Sequence, residues 1–306
     1  MRLHVKFLKL VSIVQILSML SACSTIVGGQ RQFDTPEAAS AELFDAAREG
    51  DNDELAEIFG AENSGIYSSG DEVSDLAGRS RFSELYTEQH RIERKENGDM
   101  VLVLGKIQWP FPVPLAQTEK GRWYFQGEEG VEEILNRRIG ENELTAISVC
   151  RTIVEAEREY YNLDPDRDAV KEYARKVIST PGKKDGLFWA RQPGEDLSPI
   201  GPLVATAVTE GYYYDSKPKL YHGYYYRFLT EKFSKSLLSK NGKLTKGFAL
   251  VAYPAQWGVS GVMSFLVSDQ GVLLQRNLGS DTLSIASAMT SYAPGAEWQQ
   301  VAISAH

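Results

Sequence analysis

The chain of 306 residues holds only two cysteines, Cys23 and Cys150. A disulfide framework, which needs several cysteines at set spacings, is therefore excluded. Histidine is equally sparse. Beyond residue 22 there are three, His90, His222 and His306, with no H-E-x-x-H and no pair at helical spacing, so zinc sites of the common types are excluded. No Walker A sequence and no dinucleotide-binding glycine pattern occurs, which removes support for nucleotide cofactors. Positive charge is also in deficit. The formal net charge is −8, and the first 22 residues carry three of the cations and none of the acids, so the remainder is more acidic still. An acidic surface argues against nucleic acid and against peripheral adhesion to anionic lipid.

The start of the chain is where apolar character is concentrated. Arg2, Lys6 and Lys9 precede an apolar run, Leu10 to Leu20, and small residues Ser21 and Ala22 lead to Cys23. This is the three-part layout of a secretory signal. The run is shorter than the roughly 20 apolar residues that span a bilayer. The string Leu20-Ser21-Ala22-Cys23 resembles the bacterial lipobox, which is cut just before a cysteine whose thiol and amine then receive lipid chains. The resemblance implies residues 1–22 as a lipoprotein signal peptide and Cys23 as a membrane anchor. Each buried methylene adds about 0.8 kcal/mol, and more than one chain makes the anchoring stable. The alternative is an ordinary signal peptide followed by an incidental cysteine. Ser24, in place of the Asp that favours the inner membrane in Gram-negative lipoproteins, points to the outer membrane facing the periplasm. With Cys23 lipidated, Cys150 has no partner. It lies in a helical pattern and reads as a small buried hydrophobe.

Residues 23–32 read as a tether. Asp34-Thr35-Pro36-Glu37 then opens a helix, with a polar cap, an early proline and an acid three residues after Asp34, and Gly50 ends it. A second short helix ends at Gly60, and a third is expected from Glu72 to His90 with Gly78 as a possible break. The period then changes. Hairpins are expected around Asn97-Gly98 and Lys120-Gly121. Residues 131–161 are the most helical stretch, with Gly140 as a joint, and a further helix is expected from Arg167 to Ile178. Ser179 to Pro202, with four prolines and four glycines, reads as irregular cover. From Tyr212 onward strands dominate, including a hairpin around Asp269-Gln270-Gly271, followed by a helix capped by Ser280-Asp281 and a short final strand. The expected fold class is α+β with two domains: helices and a curled antiparallel sheet over 33–130, then a long helix with an antiparallel meander over 131–306.

Three resemblances accompany this reading. "LFDAAREGDNDELAEIFG" is similar to the opening of nuclear-transport-factor-2-like domains, which are cone-shaped and often hold a small molecule or partner. Their enzymes place an Asp–His pair in the cone, whereas here the region has only His90 and no identifiable Asp partner. "GYYYRF" and "FALVAYPAQWGVSGVMSFLVSDQGVL" resemble the head of type IV pilins and pseudopilins, although the apolar assembly helix of those proteins is missing. "WPFPVPL", "EEILNRRIGENEL", "HGYYYR", "GFALVAYPAQWGVSGVMSF" and "LGSDT" together resemble the bacterial lipoprotein family of domain of unknown function 2950, a resemblance that implies the boundaries and the anchor but no activity.

Searches for a catalytic constellation fail. Gly258-Val259-Ser260-Gly261-Val262 lacks the last glycine of a nucleophile elbow. Ser216-Lys217-Pro218-Lys219 matches S-x-x-K without any accompanying motif. Asp164, Asp166 and Asp168 alternate like part of a calcium loop, but position 169 is Ala and position 175 is Arg, so the segment reads as a polar turn. No cofactor and no metal is implied. The aromatic clusters stand out instead: Tyr212, Tyr213 and Tyr214, then Tyr224, Tyr225 and Tyr226, and the segment of Trp109 and Phe111. Tyrosine and tryptophan on a rigid surface anchor proteins and glycans. The competing reading is of large half-buried strand residues, with Tyr225 facing opposite to Tyr224 and Tyr226. The leading expectation is a lipid-anchored envelope protein that binds or scaffolds an envelope protein or glycan. The alternatives are an envelope hydrolase acting on cell-wall or glycan material, and an accessory subunit of a pilus or secretion system.

Overall fold

A computed structural model describes residues 25–27, 29–191, 194, 197–212 and 220–302. The signal segment, Cys23, Tyr213, Tyr214 and the S-x-x-K string lie outside the described residues. The fold is α+β, with two hydrophobic cores joined by one long helix.

The first core begins with a two-stranded ribbon, β1 (Thr25–Val27) and β2 (Gln30–Gln32). Helix α1 (Pro36–Glu49) follows. Its N-cap is Thr35, whose hydroxyl accepts the Ala38 N–H, so the cap falls one residue later than Asp34. Gly50 closes α1 in the left-handed region at φ 72°, where a side chain would be strained. Helix α2 (Asn52–Phe59) is capped by Asp51 and stops at Gly60. A 3-10 segment (Ala61–Ile66) leads to α3 (Glu72–Glu88), capped by Asp71. Gly78 does not interrupt α3.

The antiparallel strands β3 (His90–Arg94) and β4 (Met100–Leu104) pair in register across the Asn97-Gly98 turn. The short β5 (Trp109–Pro110) lies on β4, and β6 (Leu115–Gln117) with β7 (Trp123–Phe125) forms the second expected hairpin. The sheet order is β3-β4-β6-β7. Leu43, Ile58, Phe59, Leu102, Leu104 and Phe125 are among the side chains at the centre of this core.

Helix α4 (Gly127–Leu163) is a single 37-residue helix that runs through Gly140 without a break. It serves both cores. Ile134 packs against the first, and Ala146, Cys150, Ile153 and Tyr160 are buried in the second. The boundary expected at residue 130 falls in its first turns, where Gly130 lets the helix backbone press on Val113.

The helix expected over Arg167–Ile178 is absent. The described residues between 164 and 200 are irregular, and Asp164, Arg167 and Ala169 have positive φ. The cause is local. The Asp164 carboxylate accepts the Ala169 N–H at 3.1 Å and Asp168 accepts that of Val170 at 2.9 Å, offering the backbone an alternative to helical bonding. The segment is still ordered cover, since Ala174, Leu187 and Trp189 are buried within it. Helix α5 (Gly201–Thr209), which the Pro/Gly-rich flank conceals in the sequence, ends it.

The second sheet is an antiparallel meander built from β8 (Tyr224–Leu229), β11 (Ala249–Pro254), β12 (Met263–Ser268), β13 (Leu274–Asn277) and β15 (Gln299–Gln300), with the small strands β9 (Glu231–Lys232) and β10 (Lys235–Ser236) between β8 and β11 in the chain. β9 also pairs in parallel with β14 (Ser291–Tyr292). Helix α6 (Thr282–Ala288) follows a short 3-10 turn, and Asp281 makes no side-chain cap bond there. The meander is closed on one face by α4 and braced on the other by α6, to which Arg227 donates through the carbonyls of Ala286 and Met289. No helix among the described residues is long and apolar enough to cross a membrane.

Candidate functional site

A groove of about 980 Å³ runs between the two cores. Its floor is aromatic and aliphatic because α1, α2 and α3 leave one side of their apolar faces uncovered by the sheet. Phe82 packs on Phe111 with ring centroids 5.5 Å apart, and Trp109 meets Phe111 edge-on at 6.0 Å. The far wall comes from α4 and from the segment between α5 and β8, which contributes Glu210, Tyr212 and His222. The apolar side chains of Ile107 and Leu144 stand at the groove largely in solvent, at 66% and 70% exposure.

Three of the aromatic residues singled out in the sequence, Trp109, Phe111 and Tyr212, thus come together from positions up to 103 apart in number. The other described members of the set do not. Tyr224 is fully buried beneath the meander, where its hydroxyl donates to the Met263 carbonyl at 2.8 Å, so it has no surface to offer a partner. Tyr225 faces the opposite side of β8 and packs on Tyr253 at 5.5 Å. Tyr226 shares the Tyr224 side; it is half-buried and its hydroxyl is enclosed. Burial drives the phenols of Tyr224 and Tyr226 upward.

The groove's upper wall is fixed by a polar cluster. Asp71, 3% exposed, accepts the Tyr212 hydroxyl at 2.9 Å and the Gly223 N–H at 2.9 Å. The Tyr212 oxygen also accepts the His222 N–H at 3.1 Å and lies 3.0 Å from the Ser74 hydroxyl. Burial is the main cause that pushes the Tyr212 phenol upward, and the Asp71 charge adds to it. Beside this cluster the His222 Nε2 is 3.0 Å from Glu210 Oε2. On α4, Asn142 donates to the Ser260 carbonyl at 2.9 Å, and Glu143 accepts the N–H groups of Val262 and Met263, each at 2.9 Å. These bonds tie α4 to the connection between β11 and β12 in the second sheet.

Cations are placed unevenly around the groove. Arg137 pairs with Glu133, and Arg81 lies 3.5 Å from Glu84. Arg138 is different. It is half-buried and donates to two backbone carbonyls, Gly65 at 2.7 Å and Ile66 at 3.5 Å, and has no carboxylate within salt-bridge distance among the described residues. Burial lowers its pKa, with Asp75 opposing from a distance. Arg79 reaches Asn52 only weakly, at 3.4 Å, and its Nε has no partner. These arginines were not singled out by sequence, since nothing in their local pattern marks them.

Elsewhere the candidates resolve into structure. Asp164, Asp166 and Asp168 do converge, but the Lys243 ammonium already sits among them, 2.8 Å from Asp166, 2.6 Å from Asp168 and 2.9 Å from Glu172. Ser260 is a buried turn residue bonded to the Gln256 backbone. His90 stacks on Tyr86 and does not reach the groove. Cys150 is fully buried, and its thiol is pushed up to about 12 by burial.

Fold and groove define the class: a two-core α+β protein with an inter-core groove that is apolar in its depth and cationic at its edge. The family model described as "Protein of unknown function (DUF2950)" matches residues 30–301, and the chain belongs to that family. No curated protein and no solved structure matches it, so the likenesses to nuclear-transport-factor-2-like domains and to pilin heads rest on sequence strings alone.

Proposed function

We propose that the protein is a lipid-anchored envelope lipoprotein, held by Cys23 at the outer membrane on its periplasmic side, and that its body is a binding module whose site is the inter-core groove. The observation that carries the binding reading is the convergence of Trp109, Phe111 and Tyr212, drawn from both cores, on one concave apolar surface of about 980 Å³. Ligand sites are commonly concave, largely apolar and placed between structural units, with volumes of about 300–1,000 Å³. Gly78 supplies the test. It lines the groove from α3, and a Cβ built there meets nothing within 4 Å. Gly78→Phe should fill the groove without strain. An uncharged apolar dye such as Nile red should bind the wild-type protein saturably at one site, and Gly78→Phe should abolish that binding while the protein stays folded. Equal dye binding by both proteins counts against the groove as the site.

One observation favours the hydrolytic reading as a second proposal. His222 and Glu210 form a base with an orienting carboxylate on the groove wall. Release of soluble fragments from cell-wall or glycan material by the wild-type protein, lost in His222→Gln, would support it. No release by the wild type would sink it.

A further inference from the structure

The groove has an apolar depth, but its chemistry is asymmetric. Arg138 lines it as a guanidinium that has been partly withdrawn from water and given only carbonyl oxygens in return. Charges moved out of water are ordinarily paired, because desolvation otherwise works against them. Burial is indeed what disfavours the charged form of Arg138. Arg79, also lining the groove, adds a second guanidinium with an unpartnered Nε. Asp75 and Glu141 also line the groove, but Asp75 is turned to the Ser69 N–H and hydroxyl, and among the described residues no carboxylate forms an ion pair with either arginine.

The shape narrows the body. An extended peptide would need an open strand edge for its backbone. Of the strands among the described residues, only β5 reaches the groove, and it is two residues long and ends in Pro110. An aliphatic chain carries no backbone polar groups and needs no such edge. The exposed Ile107 and Leu144 give it an apolar entrance.

We propose that the groove binds a single-chain anionic amphiphile, its aliphatic chain lying along Phe82, Trp109 and Phe111 and its headgroup received by Arg138. The proposal rests on the reading of the groove as the binding site and names the ligand class. The chain attached at Cys23 is not the occupant meant; the ligand is a free amphiphile.

The test uses the full chain carrying Cys23→Ser, so that no attached chain competes. Hexadecanoate and hexadecanol, which share one chain and differ in head charge, are titrated below their aggregation limits against bound Nile red. Hexadecanoate should displace the dye at one site, with an affinity about ten- to a hundredfold above that of hexadecanol, as expected for a charge-assisted contact. Arg138→Met should remove that preference and leave hexadecanol unchanged, and Arg138→Lys should retain part of it. Gly78→Phe should block both ligands. A role for Arg138 limited to holding the Gly65 and Ile66 carbonyls would alter stability without altering the ratio of the two affinities.

Equal displacement by both ligands on the wild-type protein overturns the headgroup assignment, whether or not the Arg138 variants fold. Dye binding that Gly78→Phe abolishes but that neither amphiphile displaces overturns the ligand class and leaves the groove reading standing, with a polypeptide as the occupant. Dye binding unaffected by Gly78→Phe overturns the groove reading itself.

Discussion

The Asp71 carboxylate, at the head of α3 in the first core, accepts the hydroxyl of Tyr212 from the second at 2.9 Å. The same oxygen accepts the Gly223 N–H. One buried acid therefore caps a helix and latches the two cores. Tyr212→Phe should cost about 1–3 kcal/mol, because the hydroxyl bonds Asp71 and also accepts the His222 N–H beside Ser74. Asp71→Ala should cost more, about 2–4 kcal/mol, because it also strands the buried Gly223 N–H and removes the α3 cap. Denaturant titrations should show the Tyr212→Phe effect reduced in the Asp71→Ala background, with a remainder from the His222 N–H and Ser74 contacts that the hydroxyl keeps. Additive losses would mean that the two residues are not coupled.

Two glycines on neighbouring helices should respond to alanine in opposite directions. Gly78 in α3 has open space where a Cβ would go, so Gly78→Ala should stabilise by about 0.5–1 kcal/mol. At Gly130 in α4 the added Cβ would sit 2.8 Å from the Val113 Cα, which is backbone and does not swing aside. Gly130→Ala should cost at least about 1–3 kcal/mol through overpacking. Thermal melts of the two variants give the comparison directly.

Those glycines also show where the sequence was legible. Asp34-Thr35-Pro36 and Gly50 bracketed α1 with the cap one residue later than Asp34, and the Asn97-Gly98 and Lys120-Gly121 turns located both hairpins, because capping and turn chemistry act over three or four residues. Gly78 and Gly140 looked the same in sequence but break nothing, since tertiary packing on Phe82 and along α4 outweighs a local cost of about 1 kcal/mol. The irregular stretch after Asp164 was concealed because its helix-like spacing is overruled by side-chain carboxylates that bond its own backbone. For the groove, Trp109, Phe111 and Tyr212 stand out in the sequence as aromatic candidates, whereas Tyr224 meets the same criterion and is core. Arg79 and Arg138 do not stand out. Each has a carboxylate one helical turn away, Asp75 and Glu141, and that neither forms an ion pair is a relation only the folded chain creates.

Cys150 should be chemically silent in the native protein. The thiolate is the reactive form, and burial pushes the thiol up to about 12 and closes access to it. An aromatic disulfide reagent at pH 8 should label Cys150 only as fast as the protein unfolds, so labelling and unfolding rates should coincide in moderate denaturant. Rapid labelling in the native state would place a solvent path to α4 that the packing does not show.

The anchor proposed at Cys23 predicts a separation of location from folding. Cys23→Ala should abolish incorporation of labelled fatty acid and release the protein from the membrane fraction, while the far-ultraviolet circular dichroism of the body stays unchanged. Among the described residues, the two cores draw on Phe33 onward. Persistent labelling in Cys23→Ala would remove the anchor from this position.

Glu157 sets a pH dependence whose sign follows from its surroundings. Its side chain is fully buried on α4, with one oxygen accepting the Ala174 N–H at 2.8 Å and the other unpartnered. Burial drives its pKa well above the ordinary value, against the smaller opposing pull of the Ala174 bond. The folded protein therefore holds this proton more tightly than the unfolded chain does, whose Glu titrates near about 4.3. The stability it contributes is complete below that value and is lost as pH rises toward the folded pKa, at about 1.4 kcal/mol per pH unit. Glu157→Gln keeps a neutral group of the same shape and cannot titrate. Its stability relative to wild type should therefore climb steadily from pH 5 upward, flattening only where the wild-type carboxyl finally ionises in the folded state. Parallel stability curves for the two proteins between pH 5 and 8 would show that Glu157 is already charged in the core, which would require a cation or water beside its free oxygen.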